Sequence, residues 1–175
     1  MPLPIAHGLV GATFVALVHP RPTRLRALPL LAGALLANAA NFDFLLVFLL
    51  QSKAWHRGFT HSAAFALVVW LIFLACLGRR RAKEAAAYGL AYASHGLLDF
   101  LTVREGGGME LLWPFSPARL RLGWAGLSEL PSRVPPARIV RFLLLEILLF
   151  TPLLALAMWL KKRASAGVDV GMGSA

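Results

Sequence analysis

The chain reads as long apolar blocks separated by short segments dense in charge. The first block covers residues 3–18, with His7 near its start and small residues at Gly8, Gly11 and Ala12 that suit close helix packing. His19-Pro20-Arg21-Pro22 ends it, because proline cannot continue a helix. The second block, 27–50, is long enough to span a bilayer, yet its second half holds Asn38, Asn41 and Asp43. An aspartate inside a span costs roughly 2.5–3.5 kcal/mol on insertion scales, so it points to function by default. Further blocks lie at 62–77, 84–103 and 139–160. The third ends in Gly78 and Arg79-Arg80-Arg81 with Lys83, and the fifth is stopped by Lys161-Lys162-Arg163. The fourth carries Tyr88, Tyr92, Ser94, His95, Asp99 and Thr102; the fifth is plain apart from Glu146 and Pro152. Glu146 falls near midspan and receives no role. The pattern predicts an all-α polytopic membrane protein with about five transmembrane helices. They form one domain over 1–163, followed by a disordered tail over 164–175. No internal repeat is visible.

Two connections stand apart from this pattern. Trp55-His56-Arg57-Gly58-Phe59-Thr60-His61-Ser62 gathers two imidazoles, a guanidinium and two hydroxyls between apolar blocks. Histidines five residues apart do not share a helix face, where neighbours sit at three and four. They converge if Gly58 lets the chain turn between them. The second connection, 104–138, holds Gly106 to Gly108 and Trp113-Pro114-Phe115-Ser116. Its aromatic and proline content suits the membrane interface, either as an anchor or as a lid over a site.

Composition supports the membrane reading: 58% of the 175 residues are hydrophobic and 15% charged, with a mean hydropathy of +0.68. A soluble domain is nearer half apolar and a quarter charged. The net charge of +10 is a candidate signal for nucleic acid. The cations lie at block ends, however, which fits positive-inside anchoring and membrane lipid as the partner, with no nucleic acid. The single Cys76 excludes a disulfide framework and a thiolate metal site. The first residues lack the basic start of a cleavable secretory signal. Threading five spans puts the short cationic loops and the C-terminus in the cytoplasm. The N-terminus, the 51–61 connection and the 104–138 loop then fall on the extracytoplasmic face.

That threading brings the unusual polar residues to one level. Asp43 lies roughly 10 Å below the face that carries His56 and His61, and Asp99 and His95 roughly 6 and 12 Å from the same face. His7 starts the first span there. His95 and Asp99, at i and i+4, share a helix side and can hold one ion. Imidazole and carboxylate donors suit a divalent metal such as Zn, Mn or Fe. His7, Asp43, His56, His61, His95 and Asp99 are enough for one open catalytic site or a two-metal site, with Arg57 available for an anionic substrate group. Plainer readings stand beside this one. His56 and His61 suit interfacial histidines capping the third span, His95 with Asp99 an interhelical hydrogen-bonded pair, and Asp43 a partner for a basic residue.

The pattern resembles a family of bacterial inner-membrane metal-dependent hydrolases, some of whose members are under LexA (SOS) control. The resemblance runs over about residues 5–120. It rests on His7, His56-Arg57-Gly58-Phe59-Thr60-His61-Ser62, His95 with Asp99 and Thr102, and Trp113-Pro114-Phe115-Ser116. Where the family has Pro-Asp-x-Asp, this chain has Ala40-Asn41-Phe42-Asp43, so a second metal is weakened or lost. The resemblance implies an inner-membrane location and a metal-activated water acting on an ester or phosphoester. Arg57, His61 and Asp99 are then the catalytic candidates, and Thr60, Thr102, Trp113 and Ser116 candidates for substrate contact or a lid. A lipid-like substrate fits ligands placed near the headgroup layer. Two alternatives use the same residues: a metal or proton transporter, and a non-enzymatic stress-related membrane protein. Against transport, the ligand types gather at one face, and no comparable polar set is read at the other.

Overall fold

The structure is a computed structural model, described here for residues 2–20, 27–104, 107–124 and 135–171. Arg21, Arg24, Arg26, Gly106, Arg133 and residues 172–175 of the expected tail lie outside the described residues. Among the described residues six helices follow in order: α1 (Pro4–Val18), α2 (Ala27–Ala39), α3 (Asp43–Leu50), α4 (Ala63–Leu77), α5 (Ala82–Thr102) and α6 (Pro136–Gly171). Single 3-10 turns lie at Ala40–Phe42, Lys53–Trp55, Phe59–His61 and Arg79–Arg81. Among the described residues there is no sheet, only an isolated antiparallel bridge between Met109 and Leu120.

Local chemistry sets the ends. Pro4 opens α1 at a position where its missing N–H is harmless. Ser62 caps α4, its Oγ accepting from Phe65 N–H at 3.0 Å. Gly78, at φ 77°, ends α4 in a conformation that favours glycine. The final helix runs to Gly171 rather than ending near residue 160. Its extension contains no proline, so nothing in the backbone stops the helix from propagating.

Among the described residues two helical stretches, not five, are long and apolar enough to cross a bilayer: Ala27–Leu50 and Pro136–Ala164. Lys53–His61 with Ala63–Leu77, bent by 53°, makes a third if it is counted as one broken span. The expectation of five equated each apolar block with a crossing. With 15 residues, α1 reaches only about 22 Å, short of a ~30 Å hydrocarbon layer. At 21 residues α5 is long enough, but Lys83, Glu84, Tyr88, Ser94, His95 and Asp99 dilute its hydropathy. Its place is internal: twelve of its residues are buried.

The bundle centres on α1 and α5. α1 packs on α2, α5 and α6; α5 packs on α1, α2 and α4. Small residues let these helices approach. A Cβ on Gly11 would stand 2.5 Å from Gly33 O and one on Gly33 2.5 Å from Val15 Cγ2, so α1 and α2 touch backbone to backbone. Asn38 adds a tie, its amide donating to Pro4 O at 3.0 Å. The interior is polar at one end of this pair, whereas Leu28, Phe42, Phe48 and Leu148 are at least 70% exposed. Large apolar side chains outside and small or polar ones inside suit a lipid solvent.

Candidate metal centre

The polar end is assembled by four segments. α1 contributes His7 and α5 contributes His95 and Asp99, all fully buried. The turn Phe59–His61 contributes His61, and the start of α3 contributes Asp43, both buried. Asp99 is the hub. Its Oδ1 lies 3.4 Å from His7 Nε2, and its Oδ2 lies 3.8 Å from His95 Nε2 and 3.9 Å from His61 Nε2. One ligand atom from each of His7, His95 and Asp99 falls within 4.8 Å of the others. The His7 and His95 rings stack at 3.9 Å, and His61 meets His95 edge-on at 4.8 Å.

A set of buried groups around these side chains fixes which atoms face inward. His95 Nδ1–H donates to Ala37 O at 2.5 Å, which leaves Nε2 with its lone pair toward Asp99. His61 Nδ1 lies 3.1 Å from Thr60 Oγ1 and 3.5 Å from Asp43 Oδ2, so its Nε2 is turned to the same point. Tyr92 Oη holds that turn by donating to Thr60 O at 2.7 Å. Gly96 allows the approach, since a Cβ there would stand 2.5 Å from His61 O. The outcome is a nest of buried atoms without a hydrogen-bond partner in the protein: His7 Nε2, His61 Nε2, His95 Nε2 and both Asp99 oxygens. A buried carboxylate left in this way is costly unless something else satisfies it. A divalent cation would do so, and the donors are those zinc, manganese and iron accept.

Residues 1–166 match the family model described as YdjM inner membrane protein. The chain belongs to the YdjM inner membrane protein family. It is also 40% identical over 81 residues to the inner membrane protein YbcI of Escherichia coli (strain K12), covering 43% of this chain and 46% of that protein. The chain therefore spans less than half the length of the curated relative it matches. No solved structure matches it.

In this YdjM-family chain the remaining expected site residues divide by position. Asp43 is engaged beside the cluster: its Oδ1 lies 3.2 Å from His56 Nδ1, and its Oδ2 accepts from Arg57 N–H at 2.7 Å. His56 sits at the rim, its ring stacked on Phe44 at 4.2 Å. Arg57 is buried, with Nε 3.7 Å from Asp99 Oδ2. The hinge between the histidines is Arg57, at φ 59°, rather than Gly58. The bond to Asp43 and the acceptance of Glu110 N–H by Arg57 O at 3.1 Å hold that left-handed conformation. Gly58 is needed for another reason: a Cβ there would crowd Trp55 O at 3.2 Å. Asn41, in the turn before α3, keeps a buried Oδ1 without a hydrogen-bond partner. Thr102 donates within α5 to Leu98 O at 2.7 Å. Trp113 packs on Phe59 at 5.6 Å, and Ser116 Oγ accepts from Ala118 N–H, so the contacts of both lie in the loop and its neighbour.

Several contributors carried no signal in the sequence. Ala37 and Tyr92 act through a carbonyl and a buried hydroxyl, which no motif marks. Arg119 fastens the loop by donating to His56 O at 3.2 Å and pairing with Glu110 at 3.2 Å. At the opposite end of α1 and α5, His19 Nε2 lies 3.7 Å from Glu84 Oε2, which also binds Arg81. That bond raises the Arg81 pKa above its usual value. This second polar set corrects the expectation of none at the far end. An apolar layer of Val15, Ala87 and Ala91 lies between the two.

Proposed function

We propose that the chain is a membrane-bound metal-dependent hydrolase acting on an ester or phosphoester of a lipid-like substrate. The observation that carries this reading is the convergence of unpartnered His7, His61, His95 and Asp99 atoms in a fully buried nest. These four residues would hold the ion. A divalent cation bound there supplies Lewis acidity and a water of lowered pKa. Asp43 orients His61 through Nδ1 and fixes the Arg57 backbone through its N–H. The Arg57 guanidinium, beside Asp99, is suited to hold an anionic group of the substrate. Thr60 keeps His61 in place through Oγ1. A lipid-like substrate is supported by the apolar exterior, which suits lipid as the surrounding solvent.

A second reading, transport of a metal ion or proton, draws on the His19–Glu84–Arg81 set at the other end of the same two helices. The apolar layer between the sets favours the hydrolase. Purified protein in lipid should hold one transition-metal ion per chain, lost in Asp99→Ala and His61→Ala. Turnover of labelled phospholipid against ion flux in liposomes then separates the two readings. A wild-type protein with no bound metal, and none taken up on dialysis, rules out the hydrolase.

A further inference from the structure

Glu146 is almost fully buried at 1% exposure on α6, a helix that otherwise turns Leu144, Leu145, Leu148 and Leu149 outward. Its two oxygens accept from the backbone of another helix: Leu3 N–H at 2.7 Å and Ala6 N–H at 3.2 Å. These are donors at the start of α1, which has no side-chain cap of its own. At the other end of α1, Lys161 Nζ donates to Leu17 O at 3.1 Å. The acid therefore meets the positive end of the α1 dipole and the base its negative end. On α6 the two residues stand 15 positions apart, about 22 Å, which is the length of the 15-residue α1. The helices run parallel, so like dipole ends lie side by side, and this pair of contacts offsets that arrangement. Val10, Phe14 and Leu17 face Leu153, Leu156 and Leu160 between the two grips.

His7 follows Ala6 directly, so whatever fixes the first turn of α1 fixes the height at which His7 meets Asp99. We propose that Glu146 and Lys161 are positioning residues through which α6 grips α1 by both ends and holds His7 in the candidate metal centre. The functional half of this proposal rests on the metal reading above; the positional half does not.

The test uses the full chain in lipid nanodiscs, with Cys76→Ser and spin labels on Ile5→Cys in α1 and Leu90→Cys in α5, both exposed positions. Without metal, a single narrow distance is expected for the parent, a broadened or shifted one for Glu146→Leu and for Lys161→Met, and one close to the parent for Glu146→Gln, which keeps a carbonyl acceptor. With zinc alone as the probe, Glu146→Leu should bind about tenfold more weakly, the scale of a lost supporting contact, and Glu146→Gln should recover most of that loss. In a His7→Ala background Glu146→Leu should add nothing. Parent-like distances in both Glu146→Leu and Lys161→Met overturn the proposal. If Glu146→Leu cannot be recovered folded, parent-like distances in Lys161→Met do the same. A parent that binds no zinc removes the metal centre, while the distances still decide whether α6 braces α1.

Discussion

At the scale of single residues, the site turns on one carboxyl group surrounded by three imidazoles. Asp99→Asn keeps the shape and one acceptor oxygen but removes the charge that a divalent ion needs. Bound zinc should fall below stoichiometry in this variant, as measured by metal analysis after gel filtration. Asp43→Asn belongs to another class, because Asp43 faces His56, Arg57 and the far nitrogen of His61. Its zinc affinity should drop by about 10–100-fold while saturating zinc still fills the site. Loss of stoichiometry at saturation would instead make Asp43 a direct ligand. The sequence named both aspartates but could not separate these roles, since the residue type serves either and only the direction of the oxygens decides. The same limit applied at the hinge. Gly58 was the natural choice for a turn on conformational grounds, yet Arg57 takes the left-handed angle because two hydrogen bonds hold it there.

Elements were legible where chain punctuation is strong. Gly78 and the Arg79–Arg81 run mark the end of α4, whereas Lys161-Lys162-Arg163 do not stop α6, which continues to Gly171. What the apolar pattern did not show is which helices face lipid. α5 carries more polar residues than α1 to α4 and is the most enclosed, because its small and polar residues are what neighbouring helices pack against. This makes its two glycines, Gly89 and Gly96, sensitive points. Gly96→Val would drive a side chain into His61 O, and it should weaken zinc binding with the helix content by circular dichroism retained. Gly11→Val tests the contact of α1 with α2, and through Ala37 it reaches the site as well. It meets Gly33 O and Ala37 Cβ, and overpacking of this kind costs about 1–3 kcal/mol, read as a lower unfolding midpoint.

For the whole molecule, the candidate centre is a polar cluster at one end of an interior that also holds apolar layers, so an ion bound there should also act as a structural ligand. Zinc at about 100 times its dissociation constant should add about 2.7 kcal/mol to stability, and a chelator should remove it. A thermal midpoint indifferent to both would mean the nest is satisfied in some other way. A reporter fused after Ala175 should mark a cytoplasmic C-terminus if the clustered cations set the topology.

The dependence of α1 on α6 also bears on the order in which the protein comes to exist. His7 is made well before Glu146, which lies 139 positions further along the chain. At roughly 5–20 residues per second, translation leaves α1 on the order of ten seconds without the helix that grips it. Until then α1 is too short to span the membrane and lacks a cap of its own. The candidate centre therefore closes only once α6 has been made and can reach α1.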